Sequence, residues 1–165
     1  MDDKTKALYR RALGAFPTGV AVVTVDDGEG GAVGLTVNSF TSVSLDPRLV
    51  AWSLGLASDR GTWFRDAERF VINILGAEGA DLAAECARRG HYRLDPALIH
   101  RTDPAAPPGV QGALSRLTCR THQQVKLGDH LLIVGEVTAF ESGSGDALTY
   151  FRGRYGRAFA PEEGA

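Results

Sequence analysis

Short apolar runs separated by glycine, proline and charged residues dominate the pattern of this 165-residue chain. Most of these runs are rich in Val, Ile and Thr, a composition typical of buried or half-buried strands. They predict strands over Gly19–Val25, Ala32–Asn38, Arg48–Gly55, Phe70–Leu75, Ala113–Leu127, Leu131–Phe140 and Leu148–Phe151. Strands therefore account for most of the predicted regular structure.

Three stretches carry helical signals instead. Asp2 or Asp3 can cap a helix in which apolar residues recur at i, i+4 spacing until Gly14. Thr62–Glu68 predicts a helical turn, and Ala77–Arg89 has helical composition. A mainly β chain with short helices and hairpin-length links favours a closed antiparallel barrel over an alternating βαβ fold. The pattern by itself does not separate a barrel from a sandwich.

The glycine-rich segment Gly28–Gly34 nearly spells a dinucleotide-binding fingerprint. Its third glycine comes one residue late, and a strand rather than a helix follows, so we interpret the segment as a hairpin turn. The segment Asp103–Gly109 contains three prolines and is interpreted as a loop, not as a domain boundary. At this length, residues 1–165 are expected to form a single domain.

The composition excludes several classes of protein. A net charge of −2 and a pI of about 6.1 argue against a nucleic-acid or membrane-surface partner. Cys86 and Cys119 are too few for a disulfide scaffold, and the four histidines lack metal-ligand spacing. No export signal or membrane-length apolar run is visible in the sequence. We expect a soluble, reduced, cytoplasmic protein without a metal.

Candidate chemistry is concentrated between Gly34 and Pro47. Here a strand-like run passes into a segment rich in hydroxyl side chains, which ends at Asp46-Pro47 before the next apolar run. Hydroxyls, an amide and closely approachable backbone at a sheet edge suit a planar, polar-rimmed, phosphorylated cofactor. The alternative is an ordinary strand end, where Asn38 and Ser39 bond their own backbone.

Five segments, in order along the chain, resemble the signature elements of the flavin reductase family, whose members supply reduced flavin to two-component monooxygenases. They are Phe16–Thr24, Gly34–Pro47, Phe70–Leu75, Gly128–Val137 with its Gly-Asp-His and Gly-Glu-Val elements, and Phe151–Gly156. Any one of these motifs would be weak, but five in sequence are specific. Arg48 and Ala147 depart from the family pattern, and both stand at strand entries.

The resemblance implies a six-stranded antiparallel Greek-key split β-barrel that forms a homodimer. It also implies an NAD(P)H:flavin oxidoreductase that reduces FAD or FMN and supplies free reduced flavin to a separate flavin-dependent monooxygenase. Both reactive atoms belong to the cofactors, so the protein has to position and polarise them, and needs no nucleophile. NADH is favoured over NADPH because no arginine pair for a 2′-phosphate stands out.

By the same resemblance, two segments bind the flavin. Thr36, Val37, Asn38 and Ser39 would line the isoalloxazine ring, while Ser53, Leu54, Gly55, Ser58, Arg60 and Thr62 would hold the phosphate and ribityl tail. Hydroxyls, a guanidinium and free N–H groups suit an anion site. The alternative for the second segment is a solvated polar loop in which Arg60 pairs with Asp59 or Asp66.

His130 is the candidate catalytic residue, because the resemblance places this position close to the bound nicotinamide, where an imidazole can orient the carboxamide or indirectly supply a proton to N1. The alternative is a turn histidine bonded to backbone. Asp129 is not expected to form a triad with His130, since adjacent strand residues point to opposite faces. Near the C-terminus, Arg152, Arg154 and Tyr155 form a basic and aromatic cluster. This cluster either covers the cofactor pocket and holds dinucleotide phosphates or is an exposed strand end.

Two other functions compete with the flavin reductase. One is a flavin-binding or electron-transfer module that holds FMN tightly and does not turn over free flavin. The other is an oxidase of a small molecule, which would need a second anion pocket for which only Arg152 and Arg154 are candidates. Flavin loss on dilution separates the first alternative from the reductase.

Overall fold

A computed structural model describes residues 2–161, which form a mainly antiparallel β structure with short helices. Its α-helices are Asp3–Leu13 (α1), Gly61–Arg65 (α2) and Ala80–Ala87 (α3), with 3₁₀ turns at Ala77–Gly79 and Pro96–Leu98. Its strands are Thr18–Gly19 (β1), Ala21–Asp26 (β2), Ala32–Val37 (β3), Thr41–Leu45 (β4), Arg48–Gly55 (β5), Arg69–Ile74 (β6), Ile99–His100 (β7), Gly109–Val110 (β8), Ser115–Leu127 (β9), His130–Ser142 (β10), Ala147–Phe151 (β11) and Arg154–Ala158 (β12).

These strands form three sheets. The largest has seven strands in the order β3-β2-β6-β9-β10-β5-β4, with every neighbouring pair antiparallel. A three-stranded sheet has the order β1-β11-β12, and β7 pairs with β8. The predicted count of six strands in a closed barrel is therefore not confirmed, because the described strands divide into sheets of seven, three and two.

The seven-stranded sheet is strongly curled. Its two edge strands, β3 and β4, follow each other in the chain, and Val37 and Thr41 are only four Cα steps apart. Four steps reach at most about 15 Å. Six strand spacings across a flat sheet would take about 29 Å. The sheet must therefore bend round until its edges meet at this corner, although β3 and β4 do not pair along their described length.

The segment after α3 covers part of the free edge of β3. The amide of Gly34 donates to the carbonyl of Tyr92 at 2.8 Å, and the amide of Leu94 donates to the carbonyl of Ala32 at 2.9 Å. This added pairing occupies the first half of the β3 edge. The second half, towards Val37, leads into the corner with β4.

Two apolar clusters lie on the two faces of β2. Val23 and Val25 face the interior of the curled sheet, together with Trp52, Phe70 and Ile133. Residues of the opposite face pack outside the sheet against α3 and β11, and this cluster includes Val20, Val22, Ala83, Cys86 and Leu148. β2 is therefore buried on both faces, which explains why its sequence is apolar throughout rather than alternating.

A buried polar network crosses the central strands. The side-chain amide of Asn73 donates to the carbonyl of Val22 at 2.8 Å and to the hydroxyl of Thr24 at 3.0 Å, and its oxygen accepts from the amide of Val110 at 2.7 Å. Asn73 and Thr24 are fully buried. The network thus fixes β8, and the proline-rich loop before it, against the central sheet. Across residues 2–161, no helix is both long and apolar enough to cross a membrane.

Candidate flavin site

The corner between β3 and β4 runs antiparallel to β5 and the loop that follows it. Thr41 pairs with Ala51, and the amide of Ser53 donates to the hydroxyl of Ser39 at 3.0 Å. Farther along, Nη1 of Arg60 donates to the carbonyl of Gly34 at 3.2 Å. The two segments predicted to bind flavin are therefore neighbours in space, although a strand and a turn separate them in sequence.

Two side chains of the first segment are exposed to solvent, and a third, that of Thr36, is half-buried. Asn38 and Ser39 are exposed, whereas Val37 is buried in the inner core. The hydroxyl of Thr36 is turned towards α3, where it donates to the carbonyl of Ala83 at 2.7 Å. Thr36 and Val37 can therefore offer backbone groups to a ligand, while Asn38 and Ser39 can also offer an amide and a hydroxyl.

The second segment combines a buried anchor with accessible polar groups. Leu54 is buried in the inner core, while Ser53, Gly55 and Ser58 are half-buried and Thr62 is exposed. The hydroxyl of Ser58 accepts from the amide of Arg60 at 3.3 Å. Leu54 thus holds the strand end while its neighbours stay within reach of a ligand.

Arg60 does not resemble an open phosphate ligand. The residue is 1% exposed, and its guanidinium donates to the backbone carbonyls of Gly34, Cys86 and Arg88. Its Nε lies 3.5 Å from a carboxylate oxygen of Asp59, the partner that the sequence left open as an alternative. A guanidinium already bonded to three carbonyls below the surface is poorly placed to meet a phosphate arriving from solvent.

His130 lies directly across from the second segment. It begins β10 and pairs with Gly55, and its Nε2 is 3.7 Å from the position that a Cβ on Gly55 would occupy. The amide of Leu56 also donates to the carbonyl of Asp129 at 2.9 Å. The imidazole is half-exposed, so it lies at the same solvent-exposed end of β5 and β10 as Gly55. We refer to this end, together with the corner between β3 and β4, as the open edge.

Asp129 contacts His130, although the sequence was expected to place the two side chains on opposite faces of a strand. A carboxylate oxygen of Asp129 lies 2.7 Å from Nδ1 of His130. Asp129 sits in the hairpin turn after Gly128, whose φ is +59°, and not on a strand, so the alternation of strand side chains does not apply. The hydrogen bond with His130, followed by its charge, holds the pKa of Asp129 below its ordinary value.

The C-terminal cluster lies on the three-stranded sheet. Arg152 and Gly153 form the turn between β11 and β12 with φ of +49° and +82°, and the amide of Arg152 donates to the carbonyl of Gly14 at 2.9 Å. Tyr155 packs edge-on against Tyr150 at 5.5 Å, and burial, followed by Tyr150, raises its pKa. Arg154 is exposed. No hydrogen bond within the described residues joins this cluster to the two flavin segments.

Known proteins of similar sequence and fold identify the family of this chain. The model of the flavin reductase like domain aligns with residues 13–158. The chain belongs to the flavin reductase family. The FMN reductase (NADH) SmoA of Agrobacterium fabrum is 43% identical over 149 residues, covering 90% of this reductase and 84% of SmoA. The stachydrine N-demethylase reductase subunit Stc3 of Rhizobium meliloti is 40% identical, and the alignment covers 94% of this reductase and 66% of Stc3.

The same architecture occurs in solved structures. The NADH:FAD oxidoreductase SgcE6 of Streptomyces globisporus, in complex with NAD and FAD fragments, superposes with a TM-score of 0.87 at 32% identity, covering 99% of this flavin reductase and 98% of that chain. The predicted family, the enzyme class and the pairing of flavin with NADH are confirmed by these matches.

The flavin reductase thus gathers part of the predicted site at one open edge: Asn38, Ser39, Ser53, Gly55, Ser58 and His130. It places Arg152, Arg154 and Tyr155 on another sheet and buries Arg60 behind the loop. Sequence reasoning missed Asp129, although its position in a Gly-Asp turn was a usable signal. Among residues 2–161 no three His, Cys, Asp or Glu side chains form a group that could hold a metal.

Proposed function

We propose that this protein oxidises NADH, reduces FMN or FAD that it binds from solution, and releases the reduced flavin to a separate flavin-dependent monooxygenase. The supporting observation is that Ser39, Ser53, Gly55 and His130 meet at one edge of the curled sheet. A bound flavin supplies the hydride-accepting chemistry, and the chain supplies binding, orientation and electrostatics.

The polar edge fits a flavin. The amide of Asn38 and the hydroxyl of Ser39 are exposed where two backbone segments lie side by side, so they can donate to the carbonyl rim of the ring. Gly55 has no side chain, and only the His130 ring lies within 4 Å of where its Cβ would be. Because no side chain covers the backbone at Gly55, a planar ring can approach it closely. Ser58 and Thr62 remain available for the phosphate end.

Asp129 gives His130 a defined role in this scheme. A carboxylate 2.7 Å from Nδ1 favours the tautomer that carries its proton there, which leaves Nε2 as an acceptor towards Gly55. An acceptor in that place can take a hydrogen bond from the carboxamide of nicotinamide and fix which face of its ring meets the flavin. We therefore propose His130 as the residue that orients the nicotinamide.

Arg152 is proposed to bind the phosphates of the dinucleotide. Together with Arg10 and Arg11 of α1, it lines a cavity of about 490 Å³ whose other lining residues are Gly14, Ala15 and Gly153. Within residues 2–161, none of these three arginines forms an ion pair, so their charge is available to an anion. Arg154 extends the positive charge along the same hairpin, while Tyr155 supports it by packing on Tyr150.

The assembly is proposed to be a homodimer of single-domain split barrels in the cytoplasm. Exposed apolar side chains on two elements support a second copy as their cover. No described residue of α1 is buried in the single chain, and its apolar side chains Leu8, Tyr9 and Leu13 are each more than half exposed. On β4, Leu45 is 91% exposed. Light scattering of the purified protein should therefore give twice the chain mass.

The test of the proposed function is NADH oxidation by purified protein with and without added FMN and FAD. Strong stimulation that saturates with free flavin supports the reductase and ranks the two flavins. No stimulation by either flavin, from protein that purifies with flavin bound and keeps it on dilution, would replace the proposal with a tightly bound FMN electron-transfer module.

A further inference from the structure

Buried Arg60 and exposed Asp59 together attach the loop after β5 to the end of α3. The guanidinium of Arg60 donates to the carbonyls of Cys86 and Arg88 as well as Gly34, and the carboxylate of Asp59 accepts from the amide of Gly90 at 2.8 Å. Cys86 and Arg88 stand at the end of α3, where helix carbonyls lack partners within the helix. We refer to these contacts of Asp59 and Arg60 as the loop clamp.

The charges of the loop clamp complement each other. The last carbonyls of a helix carry partial negative charge, which suits a guanidinium. The neighbouring amide of Gly90 carries the opposite partial charge and meets the carboxylate of Asp59. That amide, as the first cause, holds the pKa of Asp59 below its ordinary value. The two terminal nitrogens of Arg60 are therefore bonded to protein carbonyls, while its buried Nε makes no hydrogen bond and has only the Asp59 carboxylate 3.5 Å away.

The position of the loop clamp links it to the flavin site. Gly34 precedes Thr36 by two residues, and Arg60 follows Ser58 by two residues. The bond between Arg60 and Gly34 therefore ties the base of the second flavin segment to the base of the first. At the other end the same two segments are joined by the bond between Ser53 and Ser39. The chain from Ser53 to Arg60 is therefore fixed at both ends against the first flavin segment. In the proposed site, the polar groups between these two residues face the flavin.

We propose that Arg60 is a positioning residue, which sets the loop Gly55–Ser58 against Thr36–Ser39 through backbone carbonyls rather than by touching the flavin phosphate. This inference rests on the proposed function, because it takes these two segments as the flavin site. The loop clamp also joins the flavin site to α3, a helix that carries no predicted site residue.

The decisive comparison is between FMN and riboflavin, which share the ring and ribityl chain but differ by the phosphate. A direct phosphate ligand, when removed, weakens the binding of FMN and leaves that of riboflavin unchanged. A positioning residue, when removed, misplaces the loop for both ligands. Arg60→Met and Arg60→Lys should therefore raise both dissociation constants by a similar factor, on the order of tenfold for Arg60→Met, since charged hydrogen bonds are lost.

Three measurements complete the experiment. Flavin fluorescence titration gives the two dissociation constants, amide hydrogen exchange follows residues 53–60 and 86–90, and steady-state kinetics separate KM from kcat. The expected result is faster exchange in both segments, unchanged exchange in β2 and β6, a higher flavin KM and a retained kcat at saturating flavin. Arg65→Met, which removes an exposed arginine of neighbouring α2, is the matched control and should match the wild type.

Each other outcome overturns the inference. Weakened FMN binding with unchanged riboflavin binding would make Arg60 a phosphate ligand, and unchanged binding of both would show that the loop clamp is irrelevant to the ligand. If Arg60→Met does not fold, Asp59→Ala supplies the same comparison, because it releases the Gly90 contact and removes the carboxylate beside Nε of Arg60 while the three carbonyl bonds of Arg60 stay in place. Wild-type protein that binds neither flavin would overturn the proposed function as well, so the two failures are distinguishable.

Discussion

The hydroxyl of Ser39 accepts a hydrogen bond from the amide of Ser53 at 3.0 Å, across 14 residues of sequence. This bond continues the pairing of β4 with β5 into the open corner after β3. One serine belongs to each of the two segments assigned to the flavin. The contact therefore shows how a seven-stranded sheet that does not close by pairing can still bring its two ends together at a site.

The first prediction concerns the exposed polar pair of this corner. Asn38→Ala combined with Ser39→Ala should raise the dissociation constant of FMN about tenfold, because each lost hydrogen bond is worth roughly 0.5–1.5 kcal/mol. Ser39→Ala also removes the acceptor of the Ser53 amide, but both side chains are exposed, so the melting temperature should fall by only about 2–4 °C. Fluorescence titration and thermal unfolding measure the two quantities.

Thr41→Ala is the control for that double variant. Its hydroxyl is also exposed on the same run of chain but bonds only the neighbouring carbonyl of Ser42, at 3.2 Å. Its flavin affinity should be unchanged. Wild-type affinity in the double variant would remove Asn38 and Ser39 from the flavin site.

A second prediction separates nicotinamide from flavin. His130→Ala should raise the KM for NADH several-fold and leave the flavin dissociation constant nearly unchanged, because the imidazole is proposed to orient the nicotinamide. Asp129→Asn should act in the same direction but less strongly, since the ring stays and loses only the carboxylate partner of Nδ1. Initial rates at varied NADH and saturating flavin give the KM. Equal loss of affinity for both cofactors would assign His130 to the flavin edge instead.

Much of the fold could be predicted because burial follows the apolar pattern. The run Arg48–Gly55 is β5 to the residue, and the helix capped by Asp2 ends before Gly14, as its capping signals indicate. The structure adds β4, β7, β8 and β12, which the pattern missed. β7 and β8 have only two residues each, while β4 is almost wholly exposed and β12 is basic and exposed, so none of them carries the buried apolar run by which the other strands were predicted.

The sequence predicted which segments form the candidate site, but not which of their side chains reach it. The five motifs located the flavin segments in the chain, but a motif does not reveal which way a side chain turns. Thr36 turns to α3, and Arg60 turns inward to carbonyls contributed by residues 26 and 28 positions later. Such bonds depend on the packing of α3 against β3, which local sequence does not encode. The contact of Asp129 with His130 was missed because a turn residue was treated as a strand residue.

A third prediction tests the glycine of the Gly-Glu-Val element. A Cβ on Gly135 would lie 2.5 Å from the ring of Phe70 and 3.1 Å from Cβ of Cys119, and both neighbours are buried. Gly135→Ala should therefore destabilise the protein by about 1–3 kcal/mol, the usual cost of overpacking a core. Denaturant unfolding measures the change in the free energy of unfolding.

Two further variants decide whether the crowding at Phe70 is the cause. Gly19→Ala, at an exposed position with no atom within 4 Å of the added Cβ, should unfold like the wild type. Phe70→Leu should recover part of the loss when it is combined with Gly135→Ala, although it is itself destabilising. A strictly additive double variant would show that the glycine is required for another reason.

The last prediction concerns the buried amide of β6. Asn73→Ala removes the acceptor of the Val110 amide and the donor to the Val22 carbonyl and the Thr24 hydroxyl, all within the core. An orphaned buried polar group costs about 1–3 kcal/mol. The variant should lose stability on this scale and show faster amide exchange at Val110.

Thr24 also donates to the carbonyl of Pro108, so Thr24→Val should loosen the same loop. Because neither side chain reaches the flavin edge, kcat at saturating flavin and NADH should be retained in the folded variants, and its loss would place the network within the catalytic machinery.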